Sequence, residues 1–295
     1  MATVPCGATS ERFRFVDEHR KRNGVKYLCA WLGVSRSGYY AWRNRGEPER
    51  AKANAALLRV IERIHKDSRE TYGSPRVHAQ LCREGHRVGS TRVERLMRVA
   101  GLKGRAALIY RRVPGLHRFF GALANRRLDR AAPDGVDQQW AADLTYIRLG
   151  RQWRFLAVVL DLYSRRIVGW SMGRRRTVQL TAAALTMALR KRRPAKGLVL
   201  HTDRGIEYRA YAIQDIHCRH GIVASMNRPG RCTDNAEVES FFHTLKGELL
   251  RGRDPQNNDE LRGKVAGYIQ HFYNRTRLHS GLGYRSPAEF EAMSA

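Results

Sequence analysis

Three acidic residues stand in segments where a carboxylate could bind a cation: Asp143, Asp203 and Glu239. The apolar run at 198–200 is followed by His-Thr-Asp-Arg-Gly, so the pattern predicts a buried strand that ends in a turn near Asp203. Residues 233–235 read Thr-Asp-Asn and precede an apolar stripe with helical spacing, which is typical of a helix start. Glu239 would therefore lie on a helix and Asp203 at the open end of a strand.

Carboxylates in such positions suit hard divalent cations, because Mg²⁺ prefers oxygen ligands and also binds substrate phosphate. Asp143 lies in a predicted strand over 140–147. If that strand pairs with the strand of Asp203, a helix packed across both could bring Glu239 to the same place. Three carboxylates could then hold two Mg²⁺ (or Mn²⁺) ions about 4 Å apart, which stabilise the attacking and leaving oxygens of a phosphoryl displacement.

The charge balance points to a polyanionic partner. The 295 residues include 55 Lys and Arg against 27 Asp and Glu, a formal net charge of +28. An excess of this size repels itself in a compact fold unless a partner neutralises it, and nucleic acid is the leading class. Residues 201–250 differ from the rest, with 6 basic and 7 acidic residues. The acidic residues thus gather around the predicted cation site.

Several other classes of protein are disfavoured. No apolar run approaches the roughly 20 residues that a membrane span needs, and the first ten residues lack a basic-then-apolar signal pattern. The five cysteines are scattered and odd in number, which argues against a disulfide framework and fits a reducing compartment. We therefore expect a cytoplasmic protein that associates with nucleic acid and has no membrane partner.

Two helical modules are predicted before the acidic region. Residues 11–45 show short helical patterns joined by a Gly-containing turn, which is typical of a helix-turn-helix. Ser35 could cap the second helix and present Arg36, Tyr39 and Tyr40 to DNA. The alternative is an ordinary helical bundle with solvated basic faces, and the net charge favours DNA contact over it.

The second module begins with an amphipathic helix over 50–66, which Gly73-Ser74-Pro75 ends. Two shorter helices are predicted over 76–84 and 91–99, the latter capped by Ser90 or Thr91. That last helix would expose its arginines: Arg92, Arg95 and Arg98. The basic stretch that follows, punctuated by Gly and Pro, is predicted to be a linker.

From residue 138 onward the pattern predicts a mixed α/β sheet. Three strands over 140–147, 153–162 and 165–172 are separated by short turns, so they should form an antiparallel meander. Helices are predicted over 177–190, with Thr177 as cap, and over 211–220. A short strand is predicted over 222–226, before the helix of Glu239. Hairpin strands followed by alternating helices and strands indicate a mixed sheet.

The ordered motifs of this region resemble the transposases of a large family of bacterial insertion sequences, whose catalytic domain is of the retroviral-integrase type. The matching segments are WAADLTYI at 140–147, HTDRGIEY at 201–208, DNAEVESFFHTLK at 234–246, YNRTRLHSGLGY at 273–284 and SPAE at 286–289. The second helical module, over 71–102, resembles that family too, so the resemblance covers nearly the whole chain.

This resemblance implies a ribonuclease-H-like α/β fold preceded by all-α helix-turn-helix modules. It implies an Asp-Asp-Glu triad in which Asp143, Asp203 and Glu239 are catalytic and ligate metal. Such an enzyme would cut the ends of its element to expose a 3′ hydroxyl, which then attacks a second phosphodiester. The expected partners are double-stranded DNA (the terminal repeats and the target) and a second copy of the chain. The resemblance also implies that this chain is the product of a downstream reading frame, so that a protein made from the upstream frame is a further expected partner.

The predicted domains are 1–48 and 49–110 for the two helical modules, 111–135 for a basic linker, 136–250 for the catalytic core and 251–295 for a helical extension. The candidate DNA-binding residues are Lys246, Asn235, Arg204, Arg36, Arg92 and Arg95. Lys246 lies two helical turns after Glu239 on the same face, and Asn235 lies one turn before it. Arg204 and Ile206 differ from the polar residues expected after the second aspartate, and Glu207 adds a carboxylate there, which affects local DNA contacts rather than the triad.

Other polar and aromatic residues favour structural roles. Glu207, Asp234 and Glu237 fit turn, cap and solvated positions, and His217, Cys218 and His220 are too crowded on one helical turn for a zinc site. His201 could contact the site or merely pack. Trp140 and Trp153 are predicted to lie in the core rather than to stack on bases. Two other functions stay open: a nuclease of the same fold that never joins strands, and a DNA-binding regulatory subunit of a transposase.

Overall fold

The computed structural model of the chain describes residues 8–44, 49–104, 125–127, 130–228, 232–249 and 255–294. The chain divides into two compact units, Met1–Arg63 and Ile64–Ala295. Within the described ranges, no helix combines the length and the apolar composition that crossing a bilayer requires. Most of the predicted linker over 111–135, and the end of the second module after residue 104, lie outside the described residues.

The first unit contains three short helices, α1 (Thr9–Asn23), α2 (Val25–Trp31) and α3 (Arg36–Asn44), and the start of α4 (Glu49–Asp67). The apolar faces of the short helices form one small core, with buried residues Phe13, Val16, Leu28, Cys29, Leu32 and Tyr39. The predicted cap is confirmed, since the backbone N–H of Gly38 donates to Ser35 Oγ at 3.0 Å.

Tyr39 corrects one prediction about this unit. It was expected at the DNA-facing surface, yet it is fully buried, and its hydroxyl donates to Asp17 Oδ1 at 2.7 Å. Its neighbours Arg36 and Tyr40 are exposed. The difference follows from helical periodicity, because Tyr39 falls on the stripe that faces α1 whereas the adjacent positions point away.

The second unit begins with a helix pair, α5 (Ser74–Arg83) and α6 (Ser90–Val99), which pack on each other around Val77, Leu81, Val93 and Met97. The residue that precedes α6 is Gly89 and makes no side-chain cap, so the predicted cap at Ser90 or Thr91 is wrong. Arg95 is exposed and Arg92 half-exposed on this helix. Arg98 pairs with Glu94 one turn earlier at 2.7 Å.

The predicted mixed sheet is confirmed, with five strands in the order β3-β2-β1-β4-β5. Strands β1, β2 and β3 form the antiparallel meander, and β4 and β5 run parallel to β1. This is the ribonuclease-H-like arrangement that the resemblance implies. The bounds are β1 Gln139–Leu149, β2 Gln152–Asp161, β3 Ile167–Gly173, β4 Val199–Thr202 and β5 Val223–Met226.

Helices cover the sheet at close range. On one face lie α7 (Val178–Arg192), α8 (Ile206–Arg209) and α9 (Tyr211–His220), which share a core with Trp140, Ala142, Ala157 and Val159. Gly169 in β3 allows the contact, because a Cβ there would lie 2.2 Å from the carbonyl oxygen of Ala184 in α7. The predicted cap of α7 is confirmed, since Thr177 Oγ1 accepts a hydrogen bond from the Leu180 N–H at 3.3 Å.

The remaining elements follow β5. A 3-10 turn (Cys232–Asn235) leads into α10 (Ala236–Leu249), which packs on β1. Helix α11 (Asn258–Gly267) continues into a π-helical turn (Tyr268–Tyr273), and α12 (Pro287–Ser294) ends the described chain. Asn274 bonds the edge strand β3 through its side chain, which donates to Ile167 O and accepts from Ile167 N, each at 3.0 Å. The side-chain amide thus satisfies, at Ile167, the backbone N–H and C=O groups that a further strand would otherwise pair with.

The helix pair is tied to the C-terminal segment by buried hydrogen bonds. Tyr72, just before α5, accepts from the Leu278 N–H at 3.0 Å and donates to Thr276 O at 3.2 Å. Arg76 Nε donates to Leu278 O at 3.0 Å. The same segment reaches α10, because Arg277 pairs with Glu248. The module and the helix of Glu239 therefore contact one short segment, residues 276–278.

Candidate active site

Two of the three predicted ligands meet where β1 and β4 part. The strands are parallel, and Ala142 pairs with Thr202 as the last pair of their ladder. Asp143 and Asp203 are the next residues on each strand, and neighbouring strands lie about 4.8 Å apart. The turn holds Asp203 in place, because its Oδ1 accepts a hydrogen bond from the Gly205 N–H at 2.9 Å. The adjacency predicted for the first and fourth strands is confirmed.

The negative charges of the two aspartates act on a buried tyrosine next to them. Tyr208 lies in α8, and its hydroxyl is buried with no hydrogen-bond partner in the described part of the chain. Burial raises the pKa of Tyr208 well above its usual range, and the charges of Asp143 and Asp203 raise it further. An unpaired buried hydroxyl beside carboxylates is a group that a bound ligand can satisfy. Sequence reasoning assigned it no role, although it closes the HTDRGIEY motif.

A positively charged side chain, Arg176 in the loop before α7, lies next to Asp203. Arg176 Nη2 donates to Glu207 Oε2 at 2.9 Å, and a Cβ on Gly205 would touch both side chains and Asp203. The hydrogen bond to Glu207 raises the pKa of Arg176, burial opposes the shift, and the charges of Asp203 and Asp143 add to it. The run of three arginines at 174–176 was the only sequence signal for this residue.

Glu207 itself corrects the prediction of a solvated turn residue. It is 8% exposed and forms the ion pair with Arg176. The pairing explains how a carboxylate can be buried beside a second carboxylate, because an unpaired charge would be costly there. The extra acid at this position therefore serves to hold Arg176 next to Asp203.

Glu239 lies in the first turns of α10, as predicted, and is half-exposed. No three His, Cys, Asp or Glu side chains lie close enough together to hold a metal ion within the described ranges. The structure thus brings Asp143 and Asp203 together without placing Glu239 in a finished metal cluster. The available donors are carboxylate oxygens beside an unsatisfied hydroxyl, and this chemistry fits a hard divalent cation.

Asn235 links the start of α10 to β1. Its Nδ2 donates to the carbonyl oxygen of Ala142 at 3.3 Å, directly before Asp143. The residue is 1% exposed, so it offers no surface to DNA, and the prediction of a DNA contact is corrected to a positioning role. The cause is the 3-10 turn, which folds Asn235 under the helix instead of leaving it on the exposed face of Glu239.

Lys246 extends from α10 toward the same aspartate. Its Nζ lies 4.6 Å from the centre of the Tyr146 ring. Burial lowers the pKa of Lys246, and the negative charge of the nearby Asp143 opposes that shift. The side chain is half-buried. The ammonium group of Lys246, seven residues after Glu239 on the same helix, therefore lies beside the predicted metal site.

The other predicted DNA-binding residues occupy different environments. Arg204 is half-exposed, and its Nε donates to Asn227 O at 2.7 Å. In the first unit Arg36 is exposed at the start of α3, and in the second unit Arg95 is exposed and Arg92 half-exposed on α6. None of these three helical arginines lies in the sheet that carries the aspartates.

His201 is a packing residue. It is fully buried and bridges β4 to β5 through Ser225 Oγ at 2.9 Å and Asn227 Oδ1 at 2.6 Å. Burial lowers its pKa. The two open roles for this residue are thus resolved in favour of packing, which fixes the strand that carries Asp203.

Asp234 and Glu237 are not solvated first-turn acids. Asp234 accepts from Arg228 Nη2 at 2.9 Å and Asn125 Nδ2 at 2.8 Å, and the bond to Arg228 lowers its pKa. Glu237 pairs with Arg127. The prediction of solvated residues is therefore wrong, because the chain before β1 folds back onto the start of α10.

The two tryptophans differ. Trp140 is fully buried, as predicted, and its indole N–H donates to Asp137 Oδ1 at 3.0 Å. Trp153 is 50% exposed, so the prediction that it lies in the core is wrong. It is the second residue of β2, next to the hairpin turn, where the helices do not cover the sheet.

The chain is similar to several known protein families and solved structures. A family model described as an integrase core domain matches residues 133–232, a second integrase core model matches 220–287, and an HTH-like domain matches 52–110. Among solved structures, the HTLV-2 integrase catalytic core domain in complex with magnesium (dimeric form) is similar at a TM-score of 0.40 and 15% identity, over 54% of this chain and 98% of that chain.

Two relatives are similar over nearly the whole chain. The insertion element IS600 uncharacterized 31 kDa protein of Shigella sonnei is 40% identical over 89% of this chain and 97% of its own length. Transposase InsF for insertion sequence IS3A of Escherichia coli (strain K12) is 36% identical over 95% of this chain and 98% of its own length. The resemblance drawn from the motifs is confirmed: the chain belongs to the family of insertion-sequence transposases with an integrase core domain.

Proposed function

We propose that this chain is a DNA transposase that cuts the ends of its insertion element and joins the resulting strands by metal-dependent transesterification. The observation that carries the proposal is the convergence of Asp143 and Asp203 at the parting of β1 and β4, in a chain of this family. Both steps displace an oxygen at phosphorus, so one set of carboxylates can serve cutting and joining.

Asp143, Asp203 and Glu239 are the proposed ligands for Mg²⁺ or Mn²⁺, in a site for two ions. Bound divalent ions would polarise the phosphate and lower the pKa of a nucleophilic water or hydroxyl. Asn235 ties the start of α10, the helix that carries Glu239, to the Ala142 carbonyl oxygen of β1, directly before Asp143. Tyr208 offers a buried hydroxyl that can donate to a carboxylate oxygen.

The cations around the site are proposed to hold the DNA. Lys246 and Arg176 flank the aspartates from α10 and from the loop before α7. A phosphodiester that approached two carboxylates alone would be repelled, and positive side chains offset this repulsion. The exposed Arg36 and Arg95 and the half-exposed Arg92 on the helical modules are proposed to bind the DNA ends. Paired ends would bring at least two copies of the chain together.

The test is an assay of cleavage and joining on labelled DNA of the element's own end, with this chain and Mg²⁺. We expect a nicked strand with a 3′ hydroxyl and then a joined product. Cleavage that never gives a joined product would contradict the proposal and favour a nuclease of the same fold. DNA binding without cleavage would favour a regulatory subunit, and restored activity on adding the upstream-frame protein would identify that partner.

Lys246→Ala is expected to weaken DNA binding and to lower the slope of log affinity against log salt by about one, since one phosphate contact is lost. The measurement is a titration of end DNA at several salt concentrations. Lys264→Ala is the matched control, because that lysine is already paired with Glu260 at 2.7 Å. An unchanged slope for Lys246→Ala would place this lysine away from the DNA.

A further inference from the structure

Two aromatic side chains stand exposed on the hairpin that carries Asp143. Tyr146 is 57% exposed and Trp153 is 50% exposed, and their rings meet edge to face with centres 5.0 Å apart. The β1–β4 ladder ends at Ala142, so this part of β1 has no strand on that side. Two large aromatic side chains are thus presented to solvent on the hairpin whose first strand carries Asp143.

Basic residues share this surface. Arg148 pairs directly with Trp153 in the hairpin register, and Tyr146 lies two residues before it, so all three project from one face. We call Tyr146, Arg148 and Trp153 the hairpin platform. Arg151 is exposed in the adjoining turn. Aromatic rings among cations are the composition that proteins use to bind unpaired nucleotides, where bases stack and phosphates pair with charge.

The platform is within reach of the proposed chemistry. Lys246 Nζ lies over the Tyr146 ring, and the same lysine responds to the charge of Asp143. Tyr146 is three positions after Asp143 on β1, a length of roughly 10 Å along the strand. Successive nucleotides of one DNA strand are about 3.4 Å apart when stacked and farther apart when extended. The side chains of Asp143 and Tyr146 leave opposite faces of β1, and β4 does not cover that edge beyond Ala142, so a DNA strand at the aspartates would reach the platform around the open edge.

A purely structural role for the two rings would explain their contact but not the basic residues around them. Cross-strand aromatic pairs do stabilise hairpins, but the pair would serve that purpose without cations on both sides. The first ring is already held by Lys246, and half of the Trp153 side chain stays open to solvent. A net charge of +28 also favours a polyanionic ligand over a second apolar protein surface.

We propose that the hairpin platform binds an unstacked base of the DNA strand next to the phosphodiester that is cut, with the base stacked on Trp153. This inference rests on the proposed function and adds to it a ligand: a nucleobase drawn out of the duplex. Stacking on the indole offsets part of the cost of unpairing that base. The released strand is then free to bend toward the aspartates.

The experiment uses the full chain as Asp203→Asn, bound to element-end DNA that carries 5-iodouracil at one position per duplex across the cut. Light should crosslink Trp153 or Tyr146 to one or two adjacent positions only. Crosslinks that map to neither residue at any position would overturn the proposal. Because the aspartate variant is expected to lose cleavage, wild-type cleavage is scored separately. Crosslinking with a wild-type chain that does not cut supports the platform and contradicts only the proposed function.

Affinity gives a second, independent readout. Trp153→Leu should bind a duplex with one unpaired base at the cut about 5- to 150-fold more weakly than the parent chain, and fully paired DNA with a smaller loss. Trp153→Phe, which keeps a ring, should restore most of the difference. Tyr211→Leu is the matched control, since that tyrosine is 85% exposed on α9. Equal losses on paired and unpaired DNA would overturn the proposal.

Discussion

Asp203→Asn is expected to lower cleavage of element-end DNA by roughly a thousandfold or more while DNA binding is retained. Metal ions at such sites supply several kcal/mol of transition-state stabilisation, and each 1.36 kcal/mol is about a factor of ten in rate. Asparagine keeps the oxygen that accepts from Gly205 and the size of the side chain, so the turn should persist. The measurement is single-turnover cleavage at saturating DNA in Mg²⁺, together with a binding titration.

Asp215→Asn is the matched control for this variant, because it makes the same change of charge at an exposed position on α9. It should leave the cleavage rate unaltered. Asp143→Asn should behave like Asp203→Asn, since the two carboxylates meet at one end of the β1–β4 ladder. Mg²⁺-dependent cleavage that persists in Asp203→Asn would contradict the assignment of this residue as a metal ligand.

Arg277→Met is expected to destabilise the second unit by about 3–5 kcal/mol, which is the usual cost of leaving one partner of a buried ion pair. Arg277 Nη2 lies 3.0 Å from Glu248 Oε1, and the two side chains are 7% and 5% exposed. Tyr268 donates its hydroxyl to the same carboxylate at 2.7 Å. The measurement is the midpoint of thermal unfolding, which should fall by roughly 6–20 °C.

Two companion variants separate this effect from a general loss of packing. Arg275→Met removes an exposed arginine two residues away and should change stability by less than about 0.5 kcal/mol. The double variant Arg277→Met, Glu248→Gln removes the orphaned charge but keeps an acceptor for Tyr268. It should therefore be more stable than Arg277→Met alone, by about 1 kcal/mol or more. A double variant no more stable than Arg277→Met would show that the ion pair contributes nothing specific.

Local patterns predicted most of the elements that carry the site. The alternation of β1, the apolar runs of β2 and β4, and the cap of α7 at Thr177 are properties of short segments, and the structure has each of them. The helix of Glu239 follows from its spacing in the same way. These elements were predictable because helix and strand periods depend on which neighbours in sequence share a face.

The burial of individual aromatic side chains was predicted less well. Trp153 was expected in the core since large aromatic residues are usually buried, yet it lies where the hairpin runs past the covering helices. Tyr39 was expected at the surface and lies on the stripe that faces α1. Burial at such positions depends on which other element covers them, and the residue type alone does not contain that information.

The sequence by itself determined the family to which the chain belongs, its excess of positive charge and the three carboxylates that we propose for the chemistry. Only the tertiary structure decided which charges meet. Pairing of β1 with β4 joined Asp143 to Asp203 across 59 intervening residues, and the turn at Gly205 brought Glu207 and Arg176 beside them. The reason is physical, because an ion pair or a buried hydroxyl is defined by distances between segments that are remote in sequence.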